Sequence, residues 1–350
     1  MSTIGFDTSN YTTSTAWTDG KTDINVRQIL YVKDGERGIR QSDGVFQHMK
    51  LMPVMYEKLS EQIDFKDVKA VGVSTRPRCV EGSYMPVFLA GEGYAKVVAN
   101  TVGVPLYEFS HQDGHIMAGI YSSGSFELLE NDFISVHLSG GTTEILKSRY
   151  NGFNFDNEII GGSKDISAGQ FIDRVGVKMG LHFPAGKALE QLALKTEKGE
   201  KLPIAVDGAY MNFSGVETKA SRMAESEKCD KSALALGVLE NVRDTLVKTI
   251  NKAMTDTNTH RVLIVGGVAS NGIIRNGLTK KLDGDVYFAK AEYSTDNAVG
   301  TAYLAHLKQE VMNMCKKEGL HQVDLLTPAE RKITEKEYWA QRRGQEKLDK

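Results

Sequence analysis

The apolar residues of this chain repeat first with the spacing of strands and then with that of helices. Residues 3–6 and 11–17 are apolar or β-branched and flank a polar segment, which predicts a hairpin with a polar tip. Residues 45–62 carry apolar side chains at helical spacing and predict a helix with a kink near Pro53. The following pattern predicts strand, helix, strand and helix in turn, over residues 67–75, 85–102, 104–109 and 111–121.

The strand–turn–strand pattern occurs a second time near the middle of the chain. Residues 134–148 combine two strands with a turn rich in Ser, Thr and Gly, as residues 5–17 combine two strands with a polar turn. A further strand over 262–267 ends at paired glycines, and helices are predicted over 271–281 and 298–316. This alternation with repeated hairpins predicts an α/β fold of two related halves, and the cleft between such halves is the expected ligand site.

Composition and length fit two ordered domains. The 350 residues include 34 glycines and 7 prolines, a ratio that argues against collagen and disorder and favours many tight turns. A single core rarely serves a chain longer than about 300 residues. We expect an N-terminal lobe over residues 1–130, a C-terminal lobe over 131–316 and a charged helical tail over 317–350. The tail is either a solvated helix or a docking helix.

Charge, cysteines and the N-terminus limit the class of protein. The formal net charge is −2, so nucleic-acid binding must be local or shared with a partner. Cys79, Cys229 and Cys315 are odd in number and widely spaced, which favours a reducing compartment. No secretory signal pattern and no apolar run of 18 residues is present in the sequence, so we expect a cytoplasmic protein without membrane contact.

The segment His111-Gln112-Asp113-Gly114-His115 is the most specific local feature. Two histidines at positions i and i+4 lie on one helix face about 6 Å apart, so both imidazoles can reach one metal ion. Ordinary surface or core histidines remain the alternative. The segment differs from a metalloprotease helix, because Gln112 stands where that motif has its glutamate. A third ligand must come from elsewhere, and spacing cannot select it.

Two glycine-bearing turns could hold phosphate groups. Residues 139–143 (SGGTT) follow an apolar strand, and glycine there lets backbone N–H groups approach phosphate oxygens. Residues 266–271 (GGVASN) follow another strand and open a helix. Each turn alone can be ordinary, but their occurrence in two repeated halves favours nucleotide binding. Residues 294–297 (STDN) precede the last helix and by themselves indicate an N-cap.

These segments together resemble one family. The resemblance extends from about residue 3 to about residue 315, and six motif groups occur in the family's order: HQDGH, LSGGTTEI, AGQFIDRVG with PAGKALEQLA, MNFSGVETKA, GGVASN and STDNA. The chain is similar to the TsaD family, the tRNA threonylcarbamoyladenosine transferases. The resemblance implies an actin-like ATPase fold with two duplicated lobes around a nucleotide cleft. It also implies that His111, His115 and Asp296 bind one divalent metal ion per subunit, iron or zinc.

The resemblance further implies a set of substrate contacts. Residues matching the family's substrate loop, ribose-binding acid and other adenylate contacts are Leu138, Ser139, Gly140, Gly141, Thr142, Asp173, Gly186, Glu190 and Asn271. The implied reaction transfers the threonylcarbamoyl group of threonylcarbamoyl-adenylate to N6 of adenosine 37 in ANN-decoding tRNAs. ATP is a further implied ligand. The implied partners are tRNA, a smaller related subunit of the same fold and an ATPase subunit. No covalent nucleophile is required.

The sequence departs from the family pattern in the loops around these residues. Residues 7–13 (DTSNYTT) begin with Asp7 but have lost the acidic residues that usually follow in this stretch, Thr142 replaces a histidine, and Ser294 replaces a cysteine. A glycine-rich loop is replaced by Arg76-Pro77-Arg78-Cys79, whose arginines either bind an anion or are solvated. Two alternatives therefore stay open, a divergent carbamoyl-type transferase with another acceptor and a non-catalytic scaffold of this fold. Retention of the three metal-ligand types argues against the scaffold.

Overall fold

A computed structural model describes residues 1–9, 11–32, 39–80 and 82–317. Its strands are β1 (Ser2–Asp7), β2 (Thr12–Thr18), β3 (Asp23–Ile29), β4 (Val68–Arg76), β5 (Leu106–Ser110), β6 (Phe133–Leu138), β7 (Thr143–Tyr150), β8 (Phe155–Ser163), β9 (Val206–Asp207), β10 (Tyr210–Met211), β11 (Arg261–Val265) and β12 (Asp285–Phe288). Its α-helices are α1 (Gln41–Ser60), α2 (Phe88–Val102), α3 (His111–Ser123), α4 (Ala168–Lys178), α5 (Gly186–Ala193), α6 (Ser214–Ala224), α7 (Lys231–Thr257), α8 (Gly272–Lys281) and α9 (Val299–Lys317). The predicted tail after residue 317 and Asn10 lie outside the described residues.

The first sheet has the strand order β3-β2-β1-β4-β5. β1 and β2 form the predicted antiparallel hairpin, while β1, β4 and β5 run parallel. Every residue of β1 is buried, which is expected of a central strand covered on both faces. Helix α9 packs closely on this sheet, because a Cβ atom on Gly5 would lie 2.4 Å from the carbonyl oxygen of Ala298. Glycine at this position thus permits the close approach of helix and strand.

The second sheet repeats this arrangement. Its order is β12-β11-β6-β7-β8-β10-β9, in which β6 and β7 form an antiparallel hairpin and β6, β11 and β12 run parallel. The five strands from β8 to β12 through β7, β6 and β11 therefore match the order of the first sheet. The duplicated α/β architecture predicted from the two hairpin patterns is confirmed.

The chain folds into two compact units. Unit 1 comprises Met1–Tyr121, Arg149–Asp156 and the described residues from Asp296 onward, and unit 2 comprises Ser122–Ser148 and Asn157–Thr295. In unit 1, Ile4, Phe6 and Val73 of the sheet pack with residues of α1 and α2 in one buried cluster. The larger cluster of unit 2 includes much of α7, whose side chains are mostly buried. The domain limits at residues 130 and 316 stay a prediction.

Helix α1 shows how local pattern and packing combine. Pro53 lies inside the helix, which begins at Gln41 and continues to Ser60, while Met52, Met55 and Leu59 form its buried face. The apolar periodicity therefore located this helix to within four residues at its start. None of the described helices is long and apolar enough to cross a membrane.

Candidate metal and substrate site

Helix α3 carries the two predicted metal-binding histidines. It begins at His111, directly after β5 ends at Ser110, so the first helical turn starts at the carboxyl edge of the first sheet. The rings of His111 and His115 lie 4.4 Å apart between centroids. The side chain of His111 is 17% exposed and that of His115 is 5% exposed. The two imidazoles thus share one helix face, as their spacing predicts.

Asp296 lies beside both imidazoles. Its Oδ1 atom is 3.4 Å from His111 Nε2 and 3.2 Å from His115 Nε2, although about 180 residues separate the helix from this aspartate. One ligand atom from each of the three residues lies within 4.8 Å of the others. The structure therefore brings together the three residues for which the family resemblance implied a common metal ion.

The segment that carries Asp296 is held against the first sheet by hydrogen bonds between its backbone and two side chains of the sheet. A guanidinium nitrogen of Arg27, on β3, donates to the carbonyl oxygen of Asp296 at 3.2 Å. The backbone N–H of Ala298 donates to Ser14 Oγ, on β2, at 2.9 Å. Ser14 and Arg27 are register partners on adjacent strands, so one residue pair of the sheet holds this segment.

A fourth residue, Asp7, contacts the cluster and was missed by sequence reasoning. Asp7 ends β1 and is 1% exposed, and its Oδ2 atom lies 2.8 Å from His111 Nδ1. Its other oxygen, Oδ1, accepts the backbone N–H of Ser9 at 2.9 Å. A charged residue at the end of a strand that otherwise lacks charge was the available signal, but nothing local linked it to His111.

The three charged groups shift one another's proton affinities. Burial by itself lowers the pKa of His111, but the charge of Asp7 and the hydrogen bonds to Asp296 and Asp7 raise it to about 10. Burial raises the pKa of Asp296, yet hydrogen bonds from His111 and His115 bring that pKa well below its usual range. The pKa of Asp7 is also lowered, since its contact with His111 outweighs burial. Without a metal ion the cluster is therefore an ion-paired network.

The donor set fits a divalent transition metal. Imidazole and carboxylate ligands suit zinc and non-haem iron, and a tetrahedral ion about 2.1 Å from each donor keeps neighbouring donors roughly 3.4 Å apart. The two observed Nε2–Oδ1 separations of 3.4 and 3.2 Å match this spacing. Both separations also suit hydrogen bonds from protonated imidazoles, so a bound ion would replace these protons.

The predicted substrate loop is a tight turn between β6 and β7 in unit 2. The backbone N–H of Ser139 donates to Thr142 O at 2.9 Å, and the N–H of Thr142 donates to Ser139 Oγ at 3.0 Å. The Ser167 hydroxyl, at the start of α4, donates to Gly140 O at 2.7 Å. Leu138, which precedes the turn, is fully buried at the end of β6. Hydrogen bonds within the turn and a hydrogen bond from Ser167 thus fix its conformation.

The glycines of this turn leave open space beside the backbone. A Cβ atom on Gly140 or Gly141 would have no heavy atom within 4 Å among the described residues. By contrast, a Cβ atom on Gly169 would lie 2.5 Å from Ser139 O, and one on Gly266 would lie 2.3 Å from Leu138 O. Gly169 and Gly266 therefore permit packing around the turn, whereas packing against the described residues does not explain Gly140 and Gly141.

The predicted adenylate contacts connect three helices of unit 2. Asp173 Oδ1, on α4, accepts the N–H of Ala185 at 2.8 Å, next to Gly186 at the start of α5. Burial raises the pKa of Asp173, and the N–H groups of Ala185 and Gly186 oppose that rise. Asn271 caps α8, since its Oδ1 accepts the N–H of Ile274 at 3.1 Å. Glu190, on α5, contacts the first residue of α8. These residues fix the helix starts around them.

The loop with the arginine substitutions lies beside the first turn of α3. Pro77 O accepts the N–H of Gln112 at 3.0 Å. Arg76 donates to Thr75 Oγ1 at 3.1 Å and to Cys79 Sγ at 3.7 Å. Cys79 is exposed, Cys229 is half-buried and Cys315 is buried, and none of the three forms a disulfide. Ser294, which replaces the family's cysteine, donates its hydroxyl proton to Lys290 O at 3.0 Å.

Several solved structures resemble this fold, and two of them are a HypF protein and a dehydratase activator. T. kodakarensis HypF superposes with a TM-score of 0.57 and 14% identity, covering 93% of this chain and 49% of that protein. The activator of the 2-hydroxyisocaproyl-CoA dehydratase from Clostridium difficile, with bound ADPNP, gives a TM-score of 0.50 and 15% identity, covering 91% and 98%. At these identities the likeness concerns the fold alone, which is that of the actin-like ATPases.

The sequence comparisons identify the family. The profile described as TsaD, tRNA N6-adenosine threonylcarbamoyltransferase, matches residues 37–303. The tRNA N6-adenosine threonylcarbamoyltransferase of Thermus thermophilus is 30% identical over 317 residues, which cover 87% of this chain and 92% of that protein. The protein of that name from Christiangramia forsetii is 30% identical over 281 residues, covering 74% and 79%. The chain therefore belongs to the TsaD family of acyltransferases.

Proposed function

We propose that this enzyme transfers the threonylcarbamoyl group of threonylcarbamoyl-adenylate to N6 of adenosine 37 in ANN-decoding tRNAs. One observation carries the proposal beyond family membership. His111, His115 and Asp296 come from distant parts of the sequence, yet one ligand atom of each lies within 4.8 Å of the others. The donor types and their spacing support one iron or zinc ion per subunit.

The turn after β6 is suited to bind the phosphate and carbamoyl groups of the donor. Gly140 and Gly141 leave space that no described side chain or backbone atom of the chain fills. Backbone N–H groups in such a turn can approach oxygens of the donor and stabilise negative charge that develops during acyl transfer. We assign Leu138, Ser139 and Thr142 to the same contact surface, because the hydrogen bonds of Ser139 and Thr142 fix its shape.

The adenylate part of the donor would contact the helix starts of unit 2. Asp173 accepts the N–H of Ala185 with Oδ1, and a ribose hydroxyl would contact the same carboxylate. Glu190 and Asn271 border the start of α8, where the N-terminal dipole favours anionic groups. ATP has the same adenosine moiety and is a second expected ligand.

The candidate metal ligands would position the acyl group of the donor. A bound divalent ion supplies a Lewis acid that polarises a carbonyl or carboxylate oxygen. The chain's own contribution is orientation: α3 presents both imidazoles from one face, and hydrogen bonds with the side chains of Ser14 on β2 and Arg27 on β3 hold the Asp296 segment in place. No covalent nucleophile of the chain is part of the proposed reaction.

The proposed partners would contribute to tRNA binding. The net charge of −2 suggests that much of the positive field for tRNA belongs to an assembly. We propose a smaller related subunit of the same fold and an ATPase subunit as that assembly, acting in the cytoplasm. The lobes proposed for this chain are residues 1–130 and 131–316, followed by the charged tail.

Modification of a defined tRNA tests the proposal. An unmodified ANN-decoding transcript is incubated with the protein, threonine, bicarbonate, ATP and the accessory subunits, and the nucleosides are analysed by mass spectrometry. We expect N6-threonylcarbamoyladenosine with the wild type and with His260→Ala, an exposed histidine, and at least a hundredfold less with His111→Ala. Absence of the product alongside an active control enzyme would refute the proposal.

A divergent acceptor is the second candidate, and the arginine loop supports it. Arg76 and Arg78 replace glycines of the family pattern, and their loop is hydrogen-bonded to the helix that carries His111. Guanidinium groups here could bind an anionic acceptor. With a cell extract added to the same assay as a source of acceptors, this candidate predicts consumption of the acyl-adenylate without modified tRNA, and loss of that consumption in an Arg76→Ala, Arg78→Ala double variant.

A further inference from the structure

We propose that Asp7 is a positioning residue of the candidate metal site: its carboxylate fixes the proton of His111 on Nδ1, so that Nε2 is the nitrogen presented to the ion. The inference rests on the proposed metal site and adds a residue to it. The family resemblance assigned Asp7 no role in the metal site, and Asp7 reaches the site from the end of β1. Both oxygens of Asp7 accept hydrogen bonds, and this determines which nitrogen of His111 carries a proton.

Both carboxylate oxygens of Asp7 are occupied by donors. Oδ1 accepts the backbone N–H of Ser9 at 2.9 Å, and Oδ2 lies 2.8 Å from His111 Nδ1. The Ser74 hydroxyl is a further hydrogen-bonding partner of this carboxylate. An ionised carboxylate can only accept hydrogen bonds, so the imidazole nitrogen that faces it must carry a proton. His111 therefore donates from Nδ1.

The remaining nitrogen of His111 faces the other members of the cluster. Its Nε2 atom lies 3.4 Å from Asp296 Oδ1, and Nε2 of His115 lies 3.2 Å from the same oxygen. A metal ion needs the unprotonated nitrogen of an imidazole, and the partner of the other nitrogen decides which one that is. With Nδ1 committed to Asp7, Nε2 is the nitrogen that can lose its proton to an ion.

An Asp7→Asn substitution makes a sharp test, because the amide cannot satisfy both neighbours. One side of the amide accepts and the other donates, whereas Ser9 N and His111 Nδ1 both donate to Asp7. The backbone N–H of Ser9 cannot become an acceptor. The imidazole can, and it would then accept the amide proton at Nδ1 and keep a proton on Nε2. That tautomer cannot coordinate through Nε2.

Zinc affinity is the first measurement. Metal-free protein competes with a chromophoric chelator for Zn²⁺, and thermal unfolding shows that each variant is folded. We expect Asp7→Asn to bind Zn²⁺ about 10–100-fold more weakly than the wild type, the usual effect of losing such a hydrogen-bond partner. The control Glu57→Gln makes the same chemical change at an exposed position of α1 and should bind like the wild type.

The second measurement locates the proton. In zinc-loaded wild type labelled with ¹⁵N-histidine, we expect a His111 signal with the proton on Nδ1 and the metal on Nε2. Wild type that binds zinc but has His111 Nδ1 unprotonated would overturn the inference, and this result needs no variant to fold. A folded Asp7→Asn protein with affinity within about twofold of the wild type would overturn it too, while leaving the metal site intact. Failure of the wild type itself to bind zinc or iron would instead remove the metal site and the inference together.

Discussion

The Glu190 Oε1 atom accepts a hydrogen bond from the backbone N–H of Gly272 at 2.6 Å, across 82 residues of sequence. Gly272 is the first residue of α8, so the carboxylate of α5 binds one of the donors that a helix leaves unpaired at its start. The same contact sets the position of α8 relative to α5 and to the capping residue Asn271. A substrate contact proposed for Glu190 therefore cannot be separated from its effect on this helix start.

Removal of this carboxylate should affect both stability and nucleotide binding. We expect Glu190→Ala to lower the free energy of unfolding by about 1–2 kcal/mol, since a charge-assisted hydrogen bond at a helix start is lost. Binding of ATP should weaken at the same time. Chemical denaturation and calorimetric titration measure the two effects, with the exposed Glu197→Ala as control. Unchanged stability in Glu190→Ala would show that the contact is not formed in solution.

Gly140→Ala should reduce activity with little effect on stability, whereas Gly169→Ala should reduce stability. A Cβ atom on Gly140 meets no described atom within 4 Å, so we expect its substitution to change the free energy of unfolding by less than about 1 kcal/mol. Transfer activity should nevertheless fall, because the methyl group occupies space proposed for the donor. Gly169→Ala should destabilise the fold, since its Cβ would lie 2.5 Å from Ser139 O. Full activity of a stable Gly140→Ala protein would argue against the proposed donor site.

Buried His48 should make stability depend on pH. Burial lowers its pKa to about 4, although the nearby charge of Asp7 and a backbone contact with Ser9 oppose this, and its Nδ1 lies 2.8 Å from Thr13 Oγ1. The folded-state pKa is below the unfolded value of 6.5, so the unfolded state takes up a proton first. Stability should fall by roughly 3 kcal/mol in total from pH 6.5 to pH 4 on this account.

The contribution of His48 can be isolated by comparing variants. Denaturant unfolding is measured across this pH range for the wild type, for His48→Gln and for the exposed control His182→Gln. We expect the acid-side loss of stability to be smaller in His48→Gln than in the other two proteins. Equal slopes in all three would show that His48 remains protonatable in the folded state.

Metal binding should stabilise the fold through the three proposed ligands. Zn²⁺ at a hundred times its dissociation constant adds about 2.7 kcal/mol to the free energy of unfolding if it binds only the folded state. We expect this increase in the wild type, its reversal by a chelator and its absence in His115→Ala. His260→Ala should respond like the wild type. An equal response in His115→Ala would place the ion elsewhere.

Sequence patterns located the local parts of this structure well. The hairpins β1–β2 and β6–β7, helix α3 and the repeated strand–turn–strand units were predicted because their signals lie within one or two turns of sequence. The proximity of His111 to His115 was also predicted from a local signal, their spacing along one helix. The joining of Asp296 to these histidines came from the family resemblance, because helical spacing does not reach across about 180 residues.

The contacts that support the site could not be predicted from local sequence patterns. Asp7 meets His111 only because β1 lies next to β4, and β4 next to the strand that precedes α3. Arg27 reaches the backbone of Asp296 because the register pairs it with Ser14. Sheet order and register depend on the whole core, and so neither contact had a signal near its own position in the sequence.

The order of the site residues along the chain also determines when the site can be completed during synthesis. His115 precedes Asp296 by 181 residues, and a ribosome adding about 5–20 residues per second needs about 10 to 40 s to make that stretch. Throughout this time the nascent chain has both imidazoles without the carboxylate that joins them. The complete ligand set therefore exists only after residue 296 has been synthesised, so metal binding by all three residues must follow that point of translation.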